Sequence, residues 1–174
     1  MKHILFPLLL LCTISLHAQI NWQKKSLSER VSIAFPETPK ETVGNGMKSL
    51  ILKLSDSTAN LIAVENDLQV TMGLDEATLE ATMENEETWE QAKIAFVSSM
   101  GADATLVQEE KIMVKDRKAL KLVINRKTDK NAINVLTVLI FTKGAKSYNI
   151  IFNSRAGKGD EKVKEAFFNS IEIS

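Results

Sequence analysis

Reactive side chains are scarce in this sequence, which has one cysteine and two histidines among its 174 residues. All three, His3, Cys12 and His17, lie near the amino terminus. Without that segment the chain has no disulfide, no thiolate nucleophile and no side chain whose unperturbed pKa lies near neutrality. Catalysis by a thiol or an imidazole is therefore excluded from the rest of the chain. Its apolar core must hold it together, and about 155 residues suffice for that.

A cleavable signal peptide is predicted over residues 1–19. Residues 1–3 carry a positive charge, residues 4–16 form an apolar run, and residues 17–19 suit cleavage after Ala18. The apolar run is shorter than the roughly 20 residues that span a bilayer. The leucine before Cys12 does not suit lipidation of that cysteine. We therefore expect export to the periplasm or beyond the cell, with no stable membrane anchor after cleavage.

The charges of the chain nearly cancel. It has 22 basic and 22 acidic residues, and loss of Lys2 with the signal peptide leaves a net charge of −1. A chain so close to neutral has no general affinity for nucleic acid or for an anionic membrane. The remaining length predicts one domain over residues 20–174.

Alternation of apolar and polar residues predicts strands in the first half of the chain, after a polar lead-in at residues 21–30. These strands cover residues 31–35, 47–54 and 60–70. Pro36 and Pro39 end the first strand, and the Gly44-Asn45-Gly46 sequence marks a turn before the second.

The pattern then changes to one typical of helices. Residues 71–100 are rich in glutamate, alanine and methionine, which favour helix. One helical face is defined by the three- and four-residue spacing of Trp89, Ala92, Phe96 and Met100. Gly101 stands where a glycine commonly follows a helix. Residues 75–83 suit a separate short helix, joined to the longer one at Glu84-Asn85.

The second half returns to strands, predicted over residues 105–114, 119–126, 133–141 and 146–155. Residues 135–141 are apolar on both faces, which predicts the central strand, covered by helices on both sides. Asp160 suits the N-cap of a closing helix, and residues 171–173 suit a last short strand. The inward face of that helix is predicted to carry Val163, Ala166 and Phe167. The order of elements predicts one α+β domain.

Acidic and basic residues are unevenly distributed along the chain. Residues 54–92 contain ten acidic residues and no basic one, whereas residues 111–158 contain twelve basic residues and two acidic ones. In one interpretation, a solvated acidic helix lies near basic strands. In the other, the two sets form separate surfaces whose field steers a charged partner.

Two pairs of carboxylates are candidates for catalysis, Glu80 with Glu84 and Glu86 with Glu90, because each pair is neighbouring on a helix surface. Glycoside hydrolysis uses two carboxylates, but it needs them across a cleft and in different environments. Neighbours on one hydrated helix face meet neither condition, so we interpret them as a solvated face. No segment has the alternating oxygen ligands and glycine turn of a calcium loop.

Two further candidates lack the rest of their motifs. The Gly157-Lys158-Gly159 sequence precedes a helix, but a phosphate loop needs serine or threonine where Asp160 stands. Ser98 and Ser99 lack a nucleophile elbow and have only Lys93 near them as a base. The sequence therefore predicts no catalytic, cofactor-binding or metal-binding residue.

Two short motifs resemble a known family. Residues 31–39, VSIAFPETP, look like the opening strand and FP-x-TP element of exported bacterial PsbP-like proteins, and residues 167–171, FFNSI, are similar to their closing F-x-x-S-[FI] element. Lys115-Asp116-Arg117-Lys118 replaces a glycine expected in the turn after the fourth strand. The resemblance implies an antiparallel β-sheet flanked by helices, the helix–sheet–helix sandwich of the PsbP subunit of photosystem II and the yeast Ran-release factor. It also implies binding or assembly rather than catalysis.

These observations predict a non-enzymatic accessory or binding protein of the cell envelope, with an unknown protein partner and no cofactor. One alternative is a carrier of an apolar small ligand in a pocket between the Trp89/Phe96 helix and the sheet. The other is a hydrolase that uses carboxylates or lysine, which would need a concave cluster of acids with raised pKa values. Trp89 is otherwise expected in the core, and Tyr148 half-buried at a strand edge.

Overall fold

The computed structural model describes residues 21–56, 58–128 and 132–174. The strands in these ranges are β1 (Gln23–Ser26), β2 (Val31–Phe35), β3 (Lys40–Gly44), β4 (Met47–Lys53), β5 (Ala59–Asp67), β6 (Ala104–Val114), β7 (Arg117–Lys127), β8 (Ile133–Lys143), β9 (Lys146–Arg155) and β10 (Glu172–Ile173). The helices are α1 (Leu68–Met72), α2 (Glu76–Met83), α3 (Glu86–Ser99) and α4 (Glu161–Asn169). The predicted signal peptide, residues 1–19, lies outside the described residues, so the division into signal peptide and one domain stays a prediction.

Seven strands form one large sheet in the order β3-β4-β5-β9-β8-β7-β6. Each neighbouring pair in it is antiparallel. A small antiparallel sheet has β2 between β1 and β10, so it joins the two ends of the described chain. The predicted α+β class with an antiparallel sheet and flanking helices is confirmed.

The first face of the large sheet is the one that carries Leu139 and Phe141. The small sheet and α4 cover it, and their apolar side chains join it in one buried cluster. Alternation in β2 buries Val31, Ile33 and Phe35 and leaves the residues between them half-buried. The Phe35 ring lies 5.3 Å from the ring of Phe167 in α4, measured between ring centroids. The first face is therefore covered by a helix and a small sheet together, and the small sheet was not predicted.

The second face carries Leu136, Val138 and Ile140, and α2 and α3 cover it. Trp89 is buried there, and Phe96 and Met100 pack against the same cluster, as the helical spacing predicts. Asn85 caps α3, because its Oδ1 accepts a hydrogen bond from the backbone N–H of Glu87 at 2.9 Å. The predicted joint at Glu84-Asn85 is confirmed.

The strand β8 is interior and buried on both faces, as its apolar run predicts. Its alternate residues belong to the two different clusters, Leu139 and Phe141 to the first and Val138 to the second. The middle position of the sheet, however, belongs to β9. Position within a sheet depends on which distant strands pair, and the composition of one strand does not set it.

Several local expectations need correction. The predicted lead-in contains β1, and β3 was not predicted; both lack the apolar alternation that marks a half-buried strand. The strand predicted over residues 60–70 ends at Asp67, because the Asp67 carboxylate accepts a hydrogen bond from the Val70 N–H and starts α1. In α4, Phe167 is buried and Val163 half-buried as expected, but Ala166 is exposed.

The turn between β6 and β7 accounts for the departure from the family motif. Lys115 has a φ of 56°, in the left-handed region that glycine adopts most readily. The chain therefore keeps the backbone of a tight turn at this point without the glycine. The cost falls on Lys115, whose Cβ is crowded in this conformation.

Candidate functional site

A groove of about 490 Å³ lies between α4 and the first face of β6, β7 and β8. Its apolar and neutral lining includes Ile112, Val114, Val123, Thr137, Leu139, Phe168 and Ile171. Leu139 and Ile171 are buried, whereas Val123 and Phe168 are only half-buried. The groove therefore has a buried base and apolar side chains that still reach solvent.

The rim of this groove carries charges of both signs. Lys121 Nζ lies 3.3 Å from Glu110 Oε2 across β6 and β7, and Lys164 is paired with Glu161 on α4. Lys115 and Glu165 also line the rim. An apolar floor with a mixed polar rim is the arrangement found at protein interfaces.

All four carboxylates of the two predicted pairs are in ion pairs. Glu80 lies 3.2 Å from Arg117, Glu84 lies 2.5 Å from Lys118, Glu86 pairs with Lys111, and Glu90 lies 2.5 Å from Lys93. Each carboxylate therefore faces a cation on β6, on β7 or, for Glu90, on its own helix. The structure places neither pair across a cleft.

The uneven charge distribution is largely resolved by the same contacts. Six of the ten acidic residues in 54–92 are in ion pairs. Four of them are the glutamates just described, and the other two are Glu65, paired with Lys146, and Glu76, paired with Arg30. Asp67 and Asp75 cap helices. The acidic helices and the basic strands are thus interleaved, which favours the first interpretation for this side of the protein.

Of the two serine candidates, Ser98 is exposed on α3 and Ser99 is held in a structural contact. Ser99 Oγ donates a hydrogen bond to the carbonyl of Phe96 at 2.6 Å. Lys93 lies between Glu109, at 2.8 Å, and Glu90. Hydrogen bonds to both carboxylates raise the pKa of Lys93 above its ordinary value, and the bond to Glu109 has the larger effect. The raised pKa favours the protonated form of Lys93, which does not suit a general base.

The glycine-containing loop before α4 has a packing role. Asp160 caps the helix as predicted, and its Oδ1 accepts hydrogen bonds from the N–H groups of Lys162 and Val163, at 2.8 and 3.2 Å. A Cβ on Gly159 would lie 2.6 Å from Ser154 Oγ and 3.1 Å from the Phe152 ring. Glycine is therefore required where this loop crosses β9.

Trp89 contributes to the core, as expected. It is 5% exposed, and its indole N–H donates to the carbonyl of Met83 at 2.9 Å. A cavity of about 530 Å³ reaches Trp89 from the side, but six of its ten lining residues are polar or charged: Glu80, Glu84, Asp116, Arg117, Lys118 and Thr142. A charged lining does not suit the apolar ligand that the carrier alternative requires.

Tyr148 is fully buried, so the expectation of a half-buried position at a strand edge is wrong. The strand that carries it, β9, is the middle strand of the large sheet. Its ring stacks on Phe141 with a centroid separation of 5.1 Å, and its hydroxyl donates to Ser28 Oγ at 2.9 Å. Burial raises the pKa of Tyr148 to about 12, so the phenol stays protonated near neutral pH.

A polar pocket of about 320 Å³ next to Tyr148 was not predicted. Arg30 Nη1 donates to Glu76 Oε1 at 2.7 Å across its mouth. Lys146, which lines this pocket, pairs with Glu65, a carboxylate that is only 6% exposed. Glu65 Oε2 has no hydrogen-bond partner among the described residues. The sequence signal was a carboxylate at a core-facing position of the alternating strand β5, after Leu61 and Ala63.

In residues 21–56, 58–128 and 132–174, no group of three or more histidine, cysteine, aspartate or glutamate residues is placed to hold a metal ion. Across the same ranges, none of the helices has both the length and the apolar character needed to cross a membrane.

Comparison with known proteins places the fold. No family model matches the chain, and no curated protein matches it. The solution structure of cyanobacterial PsbP (CyanoP) from Synechocystis sp. PCC 6803 matches with a TM-score of 0.52 and 12% identity, over 88% of this chain and 92% of that one. At this identity the likeness shows the fold alone. The fold is PsbP-like, as the two terminal motifs imply.

Two other structures match less well. A Pseudomonas aeruginosa protein of unknown function has a TM-score of 0.47 and 9% identity, over 79% of this chain and 85% of its own. A Bacteroides thetaiotaomicron crystal structure has a TM-score of 0.47 and 14% identity, over 87% of this chain. The present chain spans about half, 48%, of that structure's length.

Proposed function

We propose that this protein, built on a PsbP-like fold, is an exported non-enzymatic accessory protein of the cell envelope that binds a protein partner. The observation that carries the proposal is the groove between α4 and the first face of the large sheet. Its half-buried Val123 and Phe168 present apolar surface within a rim of both charge signs. Such a surface is suited to a segment of another protein.

The shape of the groove favours a protein segment over a small molecule. Small-ligand pockets bury about 70–90% of the ligand surface, which requires walls on several sides. Here α4 supplies a wall on one side, and the strands β6 to β8 supply a floor. The helix has nine residues, which is about 13 Å at 1.5 Å per residue. A short helix or about four extended residues of a partner would lie along it.

The state of the reactive groups supports a non-enzymatic role. The carboxylates Glu80, Glu84, Glu86 and Glu90 are each neutralised by a nearby base. Lys93 and Tyr148 both have raised pKa values, so both hold their protons near neutral pH. General acid–base catalysis needs a group whose pKa lies near the working pH.

Export rests on the amino-terminal pattern of residues 1–19. A charged start, an apolar run and an Ala18 cleavage position form a secretory signal. Sequencing of the mature amino terminus tests this directly. A mature chain that begins near Gln19 supports export, and a chain that keeps Met1 contradicts it.

Site-specific photo-crosslinking tests the groove. A photoreactive benzoylphenylalanine is placed at Val123, a half-buried residue of the groove floor. The matched control carries it at Val64 of β5. Val64 is also half-buried, but its side chain lies on the second face of the sheet, opposite the groove. We expect one discrete crosslinked protein from the Val123 position in living cells. Equal crosslinking from both positions, or none from Val123, would contradict the groove as a binding site.

A further inference from the structure

One corner of the second face lies beyond the helices and is basic. Register places Arg126 opposite Asn134, and Asn134 opposite Arg155, so the three side chains share one face. Asn153 and Arg155 are two residues apart on β9 and therefore also share it. The adjacent row on this face runs from Asn153 through Asn60 to Lys53. We call this set the basic corner: Lys53, Asn60, Arg126, Asn134, Asn153 and Arg155.

The cations of the basic corner differ from those under the helices. Lys53, Arg126 and Arg155 are exposed, and none makes an ion pair with another described residue. By contrast, Lys111, Arg117 and Lys118 are each paired with a glutamate of α2, α3 or the joint between them. The acidic helices therefore neutralise one part of the basic strands and leave the corner charged.

The spacing of the corner is regular, because it is built on neighbouring strands of one sheet. Neighbouring strands are about 4.8 Å apart, so Arg126 and Arg155, two strands apart, have backbones about 10 Å from each other. Asparagine amides lie between and beside the arginines.

We propose that the basic corner binds an acidic, extended segment of a protein partner. The arginines match carboxylates, which they bind through paired hydrogen bonds. The asparagine amides match the N–H and C=O groups of a peptide backbone. The corner contains no aromatic side chain on which a nucleic-acid base could stack. This surface lies on the opposite face of the sheet from the groove and does not depend on it.

A binding titration with purified protein tests the corner. The probe is a fluorescent deca-glutamate peptide, followed by anisotropy. We expect binding at about 0.01 M salt and its loss at about 1 M, since the Debye length falls from about 30 Å to about 3 Å. The variant Arg126→Glu with Arg155→Glu should bind at least about tenfold more weakly, which corresponds to about 1.4 kcal/mol. The control is Lys111→Glu with Lys118→Glu. It changes the net charge by the same amount, but at lysines that are already paired with glutamates, so it should retain more of the binding.

Two further results decide between outcomes. In an amide chemical-shift titration of the unmodified protein, the peptide should shift Asn134, Asn153 and Arg155 most. Shifts centred elsewhere, or equal loss in the two double variants, would overturn the assignment. A ten-nucleotide oligothymidylate that binds more tightly than the peptide would overturn it in favour of nucleic acid.

Discussion

Truncating Leu139 to alanine should lower the free energy of unfolding by about 2–3 kcal/mol. Buried leucines lose about 2–5 kcal/mol on this change, and the loss grows with the volume of the cavity left behind. Leu139 is 4% exposed, but it also lines the groove beside α4. The space left by its side chain would open to the groove, where water and Phe168 can fill it. The loss should therefore fall in the lower part of the range.

Leu122 provides the matched comparison. It is 0% exposed and lies in the closed cluster with Trp89 on the second face. Leu122→Ala should cost about 3–5 kcal/mol, because no open space adjoins it. Urea unfolding of both variants, followed by tryptophan fluorescence, measures the difference. A loss below about 1 kcal/mol for Leu139 would contradict its burial under α4, and a larger loss than for Leu122 would contradict an open groove.

Three further predictions concern single residues. Gly159→Ala should destabilise the protein by about 1–3 kcal/mol, because its Cβ would overlap Ser154; an unchanged denaturation midpoint would refute that contact. Lys115→Gly should stabilise it by up to about 1 kcal/mol by removing the crowding of a left-handed residue, whereas Lys115→Ala, which keeps the Cβ, should not. Burial raises the pKa of Tyr148 from 10.0 to about 12, so the folded state holds the phenolic proton more tightly than the unfolded chain. This contribution to stability is complete below pH 10 and is lost as the pH rises towards 12; the loss should be smaller in Tyr148→Phe, and absorbance of the protein's one tyrosine should show the late ionisation.

The elements that could be predicted from sequence are those whose own side chains carry a period. The alternation in β2, the helical spacing from Trp89 to Met100 and the two-sided apolar run of β8 all reflect burial of the element itself. Caps such as Asp160 could also be predicted, because the capping contact joins residues close together in the chain.

The features that could not be predicted depend on distant pairing. The strands β1 and β3 expose most or all of their residues, so burial imposes no pattern on them. Tyr148 is buried because β9 pairs with both β5 and β8. The groove exists because α4 covers only part of the first face, and the basic corner exists because α3 leaves part of the second face uncovered. Neither boundary is encoded in a short stretch of sequence.

The pairing of β5 with β9 has a consequence for how the chain folds. It joins two sets of consecutive hairpins, β3 to β5 and β6 to β9, which the helices α1, α2 and α3 separate in the sequence. Hairpins close short loops quickly, whereas this junction closes a long loop at a higher entropic cost. Substitutions that weaken the contacts between strands β5 and β9 should therefore slow folding more than they speed unfolding. Until the junction forms, both strands present open edges, and at this stage the chain is most exposed to aggregation.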